Sequence, residues 1–226
     1  MKPLILLHGA LNTSTQMQPL QQKLDADFDV QVLTFSGHSA EPHDGIFSMD
    51  VFVDDILKFI DDLEIDSCDF FGYSMGGYAA TKFAMIHPER VGKIMTLGTN
   101  WDWNPESAAK EVAMLDPKVI MEKVPQYASK LQLMFGDQNW ISVVEKTATM
   151  MLELGNGNGL SQSDFEQIKS TIQICRGSED KMVSADASIE VVDWLVHGSY
   201  KEMPGIPHPL EKVDLGVLAK EFYEFF

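Results

Sequence analysis

Short unbroken apolar runs alternate along this chain with longer stretches in which apolar positions recur three and four apart. Leu4-Ile5-Leu6-Leu7, bounded by Pro3 and by His8-Gly9, has the pattern of a strand buried on both faces of a parallel sheet. Val30–Leu33, Asp69-Phe70-Phe71, Ile94–Leu97, Thr171–Cys175 and the weaker Ser199–Met203 extend the series to six predicted strands. The intervening stretches repeat at helical spacing: Met17, Leu20 and Leu24; Phe52, Val53, Ile56, Leu57, Ile60 and Leu63; Ala79, Ala80, Phe83 and Ala84. A helix around Ala187 to Val196 separates the last two strands, and Leu215, Leu218, Phe222 and Phe225 mark a terminal helix. This alternation predicts an α/β fold, an open and mostly parallel six-stranded sheet with helices on both faces.

One stretch breaks the alternation. Residues 101–169 hold helical periodicities around Ala108 to Leu115, Ala128 to Phe135 and Val143 to Leu154, no convincing strand, and a glycine-rich exit at Gly155–Gly159. They are expected to form a helical cap inserted into a core made of residues 1–100 and 170–226.

Composition narrows the functions available. With 34 acidic against 17 basic residues the formal charge is −17, which opposes nucleic acid and anionic membrane surfaces as partners and leaves a small molecule. No run is long and apolar enough to span a bilayer, and the opening apolar run is too short for a signal peptide, so the expected setting is cytoplasmic. Cys68 and Cys175 fall on predicted strands with another strand between them, a separation of about twice the 4.8 Å strand spacing and beyond disulfide reach. Only two arginines occur, Arg90 and Arg176, which favours a substrate without a carboxylate or phosphate to be clamped. No metal-ligand spacing, phosphate loop or dinucleotide fingerprint is present, so no cofactor is expected. Composition leaves the oligomeric state open.

The chemistry concentrates at Gly72-Tyr73-Ser74-Met75-Gly76. An apolar strand ends there and a small-residue helix begins, so Ser74 is expected on a sharp turn with its hydroxyl free. The N–H of Met75, opening the helix, would then point at an oxyanion formed on a substrate bonded to Ser74. A serine needs a base, and a neutral imidazole suits that near neutral pH. Among six histidines, His208 lies in the rigid Pro204-Gly205-Ile206-Pro207-His208-Pro209 loop past the last predicted strand. Asp180, in Gly177-Ser178-Glu179-Asp180 past the strand ending at Cys175, is the expected acceptor for that imidazole, with Glu179 as its rival. Serine, acid and histidine thus each follow a different strand, where open α/β sheets gather their sites.

With these motifs the chain resembles a capped, single-domain α/β-hydrolase from Leu4 to Phe226. His8-Gly9-Ala10 resembles the family's histidine-glycine turn, Gly72 to Gly76 its nucleophile elbow, and Gly177-x-x-Asp180-x-x-Val183 and Gly205-x-x-His208 its acid and base loops. The resemblance implies that the backbone N–H of Ala10 joins that of Met75 as oxyanion hole, and that His8 is structural. The extra antiparallel strands with which the family often begins are missing before His8, implying a reduced sheet. Thr34–Ser39 lacks the family's aspartate and second glycine, so His38 is expected to be structural or pocket-lining.

The expected function is a serine hydrolase cleaving small, largely apolar carboxylic esters through Ser74, His208 and Asp180. Carbon–carbon bond hydrolysis or an elimination on the same scaffold is an alternative, as is a ligand receptor that retains the fold without the chemistry. Thirteen methionines are many; Met75, Met114, Met121, Met134, Met150 and Met151 are expected mostly as core filling, with an adaptable apolar pocket as the alternative. Trp101, Trp103, Phe135 and Trp140 are further candidates to wall it.

Overall fold

A computed structural model describes residues 2–226. Six strands, β1 (Pro3–Leu7), β2 (Asp29–Leu33), β3 (Cys68–Tyr73), β4 (Val91–Leu97), β5 (Thr171–Gly177) and β6 (Gly198–Met203), form one sheet in the order β2-β1-β3-β4-β5-β6. Every neighbouring pair is parallel, a stricter arrangement than the mostly parallel sheet expected. Leu4, Ile5, Leu6 and Leu7 are all buried, as an unbroken apolar run at the centre of such a sheet must be.

The two faces carry separate cores. On one, α2 (Met49–Asp62) and α3 (Met75–Ile86) press Phe52, Ile56, Ile60, Ala79, Ala80 and Phe83 against Ile5, Phe70 and Ile94. On the other, α1 (Gln18–Leu24) and α10 (Leu215–Phe225) bring Leu20, Leu24, Leu218 and Phe222 onto Leu4, Leu6, Phe71 and Met95. Alternate residues of each strand serve opposite cores, and each buried aliphatic side chain contributes roughly 1.5–3 kcal/mol. Ser48 caps α2 by accepting the Val51 N–H, and Asp214 caps α10 in the same way.

Between β4 and β5 the chain makes five helices: α4 (Pro105–Val112), α5 (Pro117–Lys123), α6 (Pro125–Phe135), α7 (Asn139–Glu153) and α8 (Gln162–Phe165). Periodicity picks out three of them. The helix α5 buries only Ile120 and α8 is a single turn, so neither shows a period; Asp116 before Pro117 and the Ser161–Asp164 capping box are their local signals. At the glycine-rich exit α7 passes into a wide π-type turn at Leu154–Asn158, broken at Gly157, whose φ of 101° is not helical. Phe135, Trp140, Val143 and Val144 tie this region into the same core as α2 and α3. A tenth helix, α9 (Ala185–Trp194), packs beside β5 and β6.

Cys68 and Cys175 sit on β3 and β5 with β4 between them and are free. Among the described residues no helix is long and apolar enough to cross a membrane, and no group of three or more His, Cys, Asp or Glu is placed to hold a metal ion.

Candidate active site

Strand order reverses between β1 and β3, so the loops leaving their carboxyl ends diverge and open a crevice at that edge of the sheet. Ala10 follows β1 and Ser74 follows β3. Ser74 adopts φ 51°, ψ −116°, a conformation an L-residue holds only where its surroundings impose it. Three contacts do so: Ser74 N–H donates to Leu97 O (2.9 Å), Thr99 Oγ1 donates to Ser74 O (3.0 Å), and Gly77 N–H donates to the same carbonyl (3.1 Å). Gly72 is required here, because a Cβ on it would fall inside the backbone of Gly77 as α3 folds back over β3.

His208 and Asp180 meet, although the loops carrying them are far apart in sequence. Asp180 Oδ2 accepts from His208 Nδ1 at 2.7 Å, and its other oxygen accepts the N–H groups of Met182 (2.8 Å) and Val183 (3.1 Å). Burial alone would raise this carboxyl, but His208 and the two N–H donors outweigh it and hold the pKa below the usual carboxylate value. An ionised carboxylate only accepts, so Nδ1 carries the proton and the lone pair of Nε2 is free. The rival Glu179 is exposed and takes no part, its main chain instead bonding Ile206 O.

Ser74 and His208 line one cavity of about 60 Å³, together with Ala10 and Met75. No hydrogen bond joins Ser74 Oγ to His208 Nε2, a kind of contact that commonly tightens only when a substrate is in place. The N–H groups of Ala10 and Met75 find no acceptor among the described residues. Met75 opens α3, so its N–H sits at the positive end of the helix dipole. Leu11, next to Ala10, has φ 55°, which marks the turn after β1 as a second strained point of the site.

Several residues that sequence patterns did not single out hold this geometry. Arg176 donates through Nη2 to Asp180 O (2.7 Å) and through Nε to Val183 O (2.8 Å), clasping the acid loop by its main chain. Gly98, at φ 65°, passes so close to His208 and Asp180 that any side chain there would press on both. Tyr73 donates its hydroxyl to the main-chain carbonyl of His208 (2.7 Å), and its ring lies 5.5 Å from the imidazole. Tyr73→Phe removes that anchor, worth about 1 kcal/mol, and is expected to lower kcat about fivefold with KM nearly unchanged. An unchanged kcat in steady-state assays would leave Tyr73 with a packing role only.

His8 and His38 are structural. Phe35 N–H donates to His8 Nε2 (3.2 Å), so Nδ1 bears the proton and donates to Gly9 O (2.8 Å). Burial lowers its pKa to about 3, and that of His38, stacked on Phe47 and absent from the cavity wall, to about 4. The cavity is walled by Met49, Met75, Met150, Met151 and Met182 with Leu154. Met75, Met150 and Met151 thus take the pocket role, whereas Met114 and Met121 are exposed. Of the bulky residues, Trp103 reaches the cavity, while Phe135 and Trp140 are core.

The sequence pattern described as alpha/beta hydrolase fold matches residues 2–136, more than half of the chain. The chain belongs to the alpha/beta hydrolase fold family. It is 22% identical over 177 residues to the 2-hydroxymuconate semialdehyde hydrolase of Pseudomonas sp. (strain CF600), a match covering 70% of this chain and 62% of that protein. It is 28% identical over 124 residues to the sn-1-specific diacylglycerol lipase ABHD11 of Xenopus tropicalis, covering 54% of this chain and 38% of that one. The matched stretches therefore span less than two thirds of these curated relatives. Among solved structures, the 2-hydroxy-6-oxo-6-phenylhexa-2,4-dienoate hydrolase of Rhodococcus sp. strain RHA1 superposes with a TM-score of 0.81 at 18% identity, over 99% of this chain and 89% of that one, which is a likeness of fold.

Proposed function

We propose that this alpha/beta hydrolase is a serine esterase acting on carboxylic esters with a short, apolar acyl group. The observation that carries the reading is the bond from His208 to Asp180, which leaves Nε2 free on an imidazole that lines the same cavity as Ser74 on its strained turn. Ser74 Oγ attacks the ester carbonyl while His208 Nε2 takes its proton, and the N–H groups of Ala10 and Met75 hold the oxyanion. His208 returns the proton to the departing alcohol, leaving Ser74 acylated. Water deprotonated by His208 then attacks the acyl carbon, the bond to Ser74 Oγ breaks as His208 returns the proton to that oxygen, and the acid is released. Asp180 orients the imidazole and stabilises its charged form throughout. The helices between β4 and β5 act as a cap, since Trp103, Met150, Met151 and Leu154 come from that region to roof the cavity.

The cavity of about 60 Å³ has room for a few water molecules or a short acyl chain. On p-nitrophenyl esters from acetyl to dodecanoyl, turnover is expected to peak between acetyl and butanoyl. It should fall about tenfold or more by octanoyl, as displacing packed methionines costs roughly 1–3 kcal/mol. An optimum at dodecanoyl, or no turnover of any ester by folded protein, would overturn the reading.

Carbon–carbon bond hydrolysis is the second reading, favoured by the similarity to the 2-hydroxymuconate semialdehyde hydrolase. A muconate is a carboxylate, and no lysine or arginine lines the cavity to receive one. Arg90 bonds Asp66 O, Ile65 O and Asp61, and Arg176 is spent on the acid loop, so ester cleavage remains the better supported.

A further inference from the structure

One carboxylate in the cavity has no partner. Glu111, in the last turn of α4, lines the cavity with Asn100, Trp103, Tyr78 and His208. Its position is costly on three counts. It is partly buried, so water solvates the charge incompletely. It lies at the negative end of its helix. Among the described residues no hydrogen bond or ion pair compensates it; burial raises its pKa, and His208 and Lys110 offset this only from a distance. Surface glutamates avoid such places, so a partly desolvated carboxylate facing a substrate cavity is poised to be neutralised by what binds there.

The neighbours set the chemistry of that ligand. The rings of Trp103 and Tyr78 stand in the same wall, and aromatic faces attract cations. No lysine or arginine lines the cavity to compete, and the formal charge of −17 draws cations towards the molecule. Glu111 also borders an outer cleft that holds Lys110, Arg176 and Lys181, so a bound cation would sit on its inner side. Glu111 and His208 line the same cavity. Because His208 hands its proton to the departing alcohol, Glu111 faces the alcohol part of the substrate; this placement rests on the esterase reading above.

We propose that Glu111 selects esters whose alcohol carries an ammonium or quaternary ammonium group, held between its carboxylate and the rings of Trp103 and Tyr78. The acyl group remains small and apolar among the methionines, and the charge is recognised on the leaving side.

The test compares two acetate esters of equal shape, that of 2-(trimethylammonio)ethanol and that of 3,3-dimethylbutanol, at low ionic strength. Wild type should show kcat/KM about tenfold higher or more for the cation, the size expected of a partly buried charge contact with a cation–π component. In Glu111→Gln the ratio should fall about threefold or more, to the small preference that the rings alone give, and in Glu111→Lys it should fall below one. Equal efficiency on both esters in wild type, or a cationic preference undiminished in Glu111→Gln, would overturn the role of Glu111 while the esterase reading stood. Calorimetric titration of the two free alcohols into Ser74→Ala protein reads binding without turnover. If neither ester is hydrolysed but the cationic alcohol binds more tightly, and Glu111→Gln removes that difference, the esterase reading fails and the site for a cation stands.

Discussion

Ser74→Ala is expected to lower kcat by roughly four to six orders of magnitude on every ester that wild type turns over. Without Oγ no acyl-enzyme forms, and what remains is the modest help of the oxyanion donors and of binding. The fold should be unaffected, because the restraints on the turn act through the main chain: Ser74 N–H to Leu97 O, and Thr99 and Gly77 to Ser74 O. Initial rates and a thermal melt of the two proteins side by side check both halves. Activity within tenfold of wild type in the variant would remove Ser74 from the mechanism.

The second large effect is Asp180→Asn, expected to cost about 10⁴ in kcat. Two main-chain donors, Met182 and Val183, converge on Asp180 Oδ1 and accept no substitute for an oxygen there. The asparagine amide must therefore turn its NH₂ group to His208 Nδ1. That nitrogen becomes an acceptor, the proton moves to Nε2, and the imidazole can no longer take the proton of Ser74. Glu179→Gln, one residue away and exposed, should leave turnover within about twofold. Similar losses in the two variants would mean that the acid has been misassigned.

Much of this was legible because the chain states the same information at several levels. Unbroken apolar runs specified buried parallel strands, and Gly72-Tyr73-Ser74-Met75-Gly76 joined a strand to a helix with the only residue type that lets α3 pack over β3. The choice of Asp180 over Glu179 was weaker in the sequence, because both carboxylates follow β5; the main-chain donors that separate them arise only once the loop is folded. Periodicity overlooked α5, which buries only Ile120, and the single turn α8, although Pro117 and Ser161 mark helix starts. Arg176, read as one of only two arginines, is a clasp on the acid loop through main-chain oxygens, a role with no side-chain motif to announce it.

Glu111 was illegible for a related reason. On α4 it follows the exposed Lys110 in a run that reads as a solvated face, and only the packing of α4 against α7 and the turn after it brings Glu111 to the cavity. Met49 and Met182 were hidden likewise, since the cavity wall is assembled from segments far apart in the chain.

The most direct test of the account is covalent. A fluorophosphonate, which phosphonylates only a serine activated by a neighbouring base, is incubated with wild type, Ser74→Ala and His208→Ala, followed by intact-mass and peptide mass spectrometry. The account predicts a single adduct on Ser74 in wild type, none in Ser74→Ala, and labelling slowed by a hundredfold or more in His208→Ala, the range of general-base assistance at about 10²–10⁴. Folded wild-type protein that stays unlabelled at Ser74, or His208→Ala protein labelled as fast as wild type, would contradict it.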